Sequence, residues 1–201
     1  MALLFANNNS LSAITTKPSG LSGGSLNLIS TQTASSSSTI SFTSGIDSTY
    51  DDYVFKFFNI HPSGTNRFQF NGSSDSGSNY NVTKTTTIFV AHHAEGGSDA
   101  ALVYQSGDDL AQSTAFQDLM AYGNQDADND HSLNGTLQLF SPSSTTFVKH
   151  FIATTQGNID TNYSVNSFVV GYFNTTSAID AIQFKMTSGT FDGVIKLYGV
   201  S

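Results

Sequence analysis

The sequence predicts an all-β chain, a jelly-roll-like antiparallel β-sandwich over residues 25–201 preceded by an extended arm over residues 1–24. Three observations lead there. Apolar and polar residues alternate in short runs such as Tyr53-Val54-Phe55-Lys56-Phe57-Phe58-Asn59-Ile60, and successive side chains of a strand face opposite sides of its sheet. Such runs recur about every ten to twenty residues, separated by Ser, Thr, Asn and Gly, which is the rhythm of a sandwich or barrel. Hydrophobic residues make up 38% of the 201, with sixteen Phe and eight Tyr, enough apolar material for one core.

The elements follow in order. Residues 1–24 mix loop punctuation (Asn7-Asn8-Asn9-Ser10, Lys17-Pro18-Ser19-Gly20, Ser22-Gly23-Gly24) with a few apolar residues, among them Leu3, Leu4, Phe5 and Ile14. Such a segment cannot bury those side chains by itself. It reads either as a frayed tail or as an arm that docks them on a neighbouring subunit. Strands are expected at 26–30, 39–43, 53–60, 66–70, 85–93 and 101–105, then at 133–140, 146–154, 167–173, 181–186 and 194–198. In Ile182-Gln183-Phe184-Lys185-Met186 the apolar residues face inward and Gln183 and Lys185 outward. Phe168, Val170 and Tyr172 are assigned inward by the same device. Ser141-Pro142-Ser143-Ser144-Thr145 is a hairpin loop, and the four serines 35–38 are a loop. Residues 109–122 stay open between a short helix and irregular chain, because Leu110, Phe116, Leu119 and Met120 fit helical spacing only loosely.

Composition narrows the function. The seven Lys and Arg are dispersed in a chain of net charge −8, so the clustered cations that nucleic acid demands are missing. Zero Cys removes disulfides, thiolate metal sites and cysteine nucleophiles. The apolar run Leu3-Leu4-Phe5 lacks a basic flank and stops at Asn7, so neither an export signal nor membrane insertion is expected.

Chemistry-bearing clusters are few. His92 and His93 are neighbours on a strand and point to opposite faces, so they cannot chelate one ion together; a metal site would need His61, His131 or His150 as well. The loop Asp126-Ala127-Asp128-Asn129-Asp130 resembles the first half of an EF-hand, but His131 stands where that loop needs Gly and Leu137 where it needs Glu. An EF-hand is excluded, while Asp126, Asp128 and Asp130 remain candidate ligands for calcium on a sandwich loop, joined by Asp108 and Asp109 if the two loops meet. There is no Gly-x-Ser-x-Gly elbow and no placed pair of carboxylates for glycoside hydrolysis. The chain is therefore expected to bind and assemble without catalysing a reaction, and without a cofactor apart from that calcium candidate.

Two stretches carry a resemblance. The first is Ile40-Ser41-Phe42-Thr43-Ser44-Gly45-Ile46-Asp47-Ser48-Thr49-Tyr50-Asp51-Asp52-Tyr53 with the strand that follows to Pro62. The second is Ile182 to Gly189, followed by Gly193-Val194-Ile195-Lys196-Leu197-Tyr198-Gly199-Val200. Together they resemble a family of small β-rich virion proteins of tailed bacteriophages, especially marine and cyanobacterial ones; the C-terminal stretch is similar to many tail-appendage modules. The resemblance implies a virion structural protein assembled in the host cytoplasm, a homo-oligomer (a trimer by analogy with phage fibres and decoration proteins) that contacts other virion proteins. A tail fibre or baseplate component would bind a host surface glycan through its loops; a capsid decoration protein would clamp capsomers through the arm. The C-terminal stretch favours the tail. A stand-alone carbohydrate-binding module is the competing class, and a polysaccharide hydrolase the third.

Overall fold

In a computed structural model that describes residues 26–201, the two-residue rhythm becomes strands throughout. They are β1 (Leu26–Ser37), β2 (Thr39–Phe42), β3 (Asp52–Pro62), β4 (Phe68–Ser73), β5 (Lys84–Ala94) and β6 (Ala100–Tyr104). The second half adds β7 (Gln117–Asp118), β8 (Leu133–Phe140), β9 (Lys149–Ile159), β10 (Tyr163–Phe173), β11 (Ala181–Met186) and β12 (Phe191–Val200). The expected arm and its docking residues Leu3, Leu4, Phe5 and Ile14 lie outside the described residues.

The strands form an antiparallel sandwich of unequal sheets. The larger has eight strands in the order β1-β12-β3-β8-β9-β10-β5-β6, and the smaller has four, β2-β11-β4-β7. Phenylalanines fill the space between them. Phe184 on β11 meets Phe55 and Phe57 of β3 at ring centroid distances of 5.2 Å each and stacks on Phe68 of β4 at 5.7 Å. All four rings are buried, and edge-to-face contacts of this kind suit the ring quadrupole. This core explains the alternation that the sequence displays at 182–186.

The two stretches quoted above touch one another. Tyr53 is fully buried at the start of β3; its hydroxyl donates to the Asp47 carbonyl and accepts from the Asp47 amide, each at 3.0 Å. Asp47 Oδ1 also accepts from the Thr49 amide at 2.8 Å, which closes the turn before the strand. Tyr50 lies edge-on to Tyr53 at 5.8 Å and rests on Gly199, where a Cβ would come within 2.2 Å of its ring. Only glycine fits beneath that tyrosine. Both motifs thus act on one corner of the fold.

Two local expectations are corrected, and one left open is decided. Phe168, Val170 and Tyr172 face outward; the inward phase of β10 is Val165, Ser167, Val169, Gly171 and Phe173. Gly171 takes an inward place because a Cβ there would lie 2.9 Å from the Phe151 ring and 2.5 Å from the Thr85 carbonyl oxygen. The serines at 35–37 belong to the bulged end of β1, where Ser36 adopts φ 47° and its amide donates to Asp192 Oδ1 at 2.7 Å. Ser38 alone separates β1 from β2, at the corner where the chain changes sheet. Residues 109–122 form no helix. Their backbone groups bind the neighbouring strands: Ser113 exchanges both hydrogen bonds with Lys84, the Leu110 carbonyl accepts from Thr86, and the Leu119 amide donates to Phe68. A segment whose polar groups are taken by sheet edges cannot also close helical turns.

Candidate functional site

The antiparallel order of the large sheet brings one set of connections to one end: 62–68, 94–100, 118–133 and 159–163. Chemistry-bearing side chains gather there in three groups.

The first group surrounds His92. As expected, His92 and His93 face opposite sides, the former buried and the latter exposed. The His92 ring stacks on Tyr122 at 3.9 Å and meets Tyr163 edge-on at 5.6 Å. Its Nε2 lies 3.2 Å from Asp99 Oδ2, which also accepts from the Tyr163 hydroxyl at 3.5 Å. Tyr122 holds φ 80°, a left-handed conformation that costs a non-glycine residue about 1–3 kcal/mol. Burial, then the neighbouring Tyr163 and Asp99, raise the Tyr122 hydroxyl above its ordinary pKa. His92 Nδ1 is enclosed with no hydrogen-bond partner among the described residues. A ring stacked on one face and closed at one nitrogen is an aromatic clamp. What it offers outward is two tyrosine rings and a half-exposed carboxylate. Sequence reading missed it because its members come from β5, the β5–β6 turn, the 118–133 connection and β10.

The second group is the acidic loop. Ligand-capable atoms of Asp126, Asp128 and His131 lie within 4.8 Å of one another. Asp126 Oδ1 accepts from the Asp128 amide at 2.9 Å and pairs with His131 Nδ1 at 2.5 Å. The Asp128 carbonyl lies 3.0 Å from His61 Nε2. Asp130 stands apart, exposed, its carboxylate 3.8 Å from His131 Nε2. Of the three aspartates the sequence singles out, two therefore converge, and the third member of the cluster is the histidine at the place of the EF-hand glycine. One imidazole nitrogen with two carboxylates is a mixed donor set, whereas calcium prefers oxygen throughout. The Asp128 amide and His131 hold the Asp126 carboxyl below its usual range. Burial pulls the His131 pKa down, but its hydrogen bond to Asp126 and the charges of Asp126, Asp130 and Asp128 outweigh that and leave it raised. The cluster closes its own turn.

The third group ties the loops together. Arg67 Nη1 binds Asp108 at 2.5 Å and Asp118 at 3.1 Å, while its Nε donates to Asn124 at 3.2 Å. Arg67 thus holds Asp108 and Asn124 on one guanidinium, and Asp108, spent there, joins no acidic cluster with Asp126 among the described residues. Gln69 donates to the second oxygen of Asp118 at 2.6 Å. Burial nonetheless lifts the Asp118 carboxyl above its ordinary value.

A different surface lies on the outer face of the large sheet. Strand registers align Thr87, Val170, Ile152, Gln138, Val54, Tyr198 and Leu28 in one row across it. The next row reads Tyr104, Phe89, Phe168, Thr154, Thr136, Lys56, Lys196 and Thr31. Phe89 stacks on Phe168 at 4.8 Å in the open, and Leu102 and Tyr104 on the edge strand are 71% and 54% exposed. A depression of about 200 Å³ opens beside them, lined by Thr85, Thr87, Val170 and Tyr172. One sequence signal could have revealed this face: β10 is apolar in both phases, as a strand covered on both sides is. Against protein-family models, curated proteins and solved structures alike, the chain gives no match.

Proposed function

We propose that this chain is a non-enzymatic structural protein on the surface of a phage particle, a tail fibre or baseplate component that works by assembly and host attachment. The observation that carries the reading is the outer face of the eight-stranded sheet, which no other described element covers and on which Phe89, Phe168, Val170, Ile152, Val54 and Leu28 stand among threonines, Gln138 and two lysines. Exposed apolar and aromatic side chains clustered among polar ones mark a site of association. The resemblance at residues 40–62 and 182–200 supplies the virion context. The opposite partner, a host glycan, would meet the loop end, where Tyr122 and Tyr163 present ring edges and faces beside the Asp99 carboxylate. Sugars are bound by this combination of apolar rings and convergent hydrogen-bonding groups. A capsid decoration role is the alternative within the same reading.

Immunogold labelling of the phage particles, with an antibody shown to bind the native protein, tests this. Gold confined to the tail end is the expected result. Gold over the head would place the chain in capsid decoration, and unlabelled particles would overturn the surface reading.

A further inference from the structure

We infer that the outer face of the eight-stranded sheet is the surface through which copies of this chain associate with one another, centred on Val170, Ile152 and Val54. The inference rests on the assembly reading above and names its partner. The first support is size. Eight strands about 4.8 Å apart span about 34 Å, and the two rows above, flanked by one through Leu102, Asn166 and Gln156 and one through Tyr172, His150 and Asp52, make four rows that rise about 20 Å along the strands. The product is about 700 Å², close to the roughly 800 Å² that each partner contributes to a stable standard interface.

The second support is charge. The chain carries −8 overall, so two copies repel unless they meet where carboxylates are scarce. Where β3 and β12 cross this face the charged residues are Lys56, Lys196 and Asp52, two lysines against one aspartate, and at the far edge Asp109 accepts from the Tyr104 hydroxyl. The lysines are themselves folded onto rings, Lys56 over Tyr198 and Lys196 over Phe58, with Nζ 5.4 Å from each ring centroid. This is the part of the surface on which an acidic chain can approach its own copy. The third support is the edge. β6 reads Ala100-Ala101-Leu102-Val103-Tyr104, without the charge or proline that commonly protects an outermost strand. Leu102 and Tyr104 extend the apolar face to the sheet's limit.

Sedimentation velocity of the full chain from micromolar to hundred-micromolar concentration tests it. The expected species is a multiple of the 21.4 kDa monomer. Val170→Lys and, separately, Thr154→Lys should each weaken self-association by about 30-fold or more, the effect of disrupting an interface centre. Thr154 is a polar position on the same face, so its variant keeps the fold even if Val170→Lys does not, and the urea midpoint confirms this. A dimer or a trimer dissociated by these changes supports the inference. Oligomers that survive both changes would overturn it for this face while leaving the assembly reading in place. A monomer at every concentration would overturn the inference, leaving the particle labelling as a separate test of location.

Discussion

Phe184→Ala is the substitution that probes the core most sharply. Phe184 is fully buried, and five rings surround it: Phe55 and Phe57 at 5.2 Å, Phe68 at 5.7 Å, Phe42 at 6.2 Å and Phe70 at 6.5 Å. Those rings come from both sheets, so the residue joins the two layers. Removing a buried phenylalanine costs about 3–5 kcal/mol. Aromatic pairs are worth about 0.5–1.5 kcal/mol each beyond area; because the lost contacts and the new cavity overlap, the sum is not taken and the upper end, about 5 kcal/mol, is expected. With a urea slope of about 2 kcal/mol per molar, the midpoint falls by about 2.5 M. Phe184→Leu keeps most of the volume and should lose about 1–2 kcal/mol, a safeguard if the alanine variant does not fold. Phe89→Ala on the outer face is the control, expected to cost about 1 kcal/mol. If urea unfolding followed by circular dichroism finds Phe184→Ala no more damaging than Phe89→Ala, the inter-sheet core is misplaced.

Three further outcomes follow from the same geometry. Gly199→Ala drives a methyl into the Tyr50 ring at 2.2 Å and should destabilise by about 1–3 kcal/mol; adding Tyr50→Ala should recover part of that loss in a double-mutant cycle, whereas strict additivity would deny the contact. Lys84 is buried, with Nζ donating to Asn71 Oδ1 at 2.9 Å, and burial lowers its pKa from 10.5 to about 7. The unfolded chain then holds that proton more tightly, so stability should rise as pH goes from 7 towards 10.5 and stay flat below 7. Lys84→Met should abolish the slope, measured as urea midpoints through that window, and an unchanged slope would assign it to another group. His131 has a pKa raised above 6.5, so its contribution is complete below 6.5 and is lost as pH rises through the folded value. Asp126→Asn should lower the pKa read from His131 ring resonances, and a variant that leaves it unchanged would remove the Asp126 pairing as its cause.

Much of the fold was legible because alternation survives wherever one sheet face is buried and the other wet. Every strand expected from 26 to 198 is present, and 182–186 has the phase its residues announce. Alternation fails where both faces of a strand are apolar. On β10 the rings of Phe168 and Tyr172 look like core, yet Gly171 and Ser167 take the inward places because Phe151 fills the space at Gly171 and the Ser167 hydroxyl accepts from the Ala121 amide at 3.2 Å. β7 is two residues long, too short for any period, and the connection leading to it is set by hydrogen bonds to distant strands. The acidic loop was visible as composition, but which side chains converge depends on His131 turning back onto Asp126. The His92 clamp has no local signature, since Asp99, Tyr122 and Tyr163 reach it from separate connections.

Mass spectrometry of density-purified phage particles tests whether the chain is a virion component. The virion role proposed above predicts peptides of this chain at a copy number comparable with the particle's structural proteins, retained after salt washing. Peptides found in the infected-cell lysate but absent from the purified particles would contradict it.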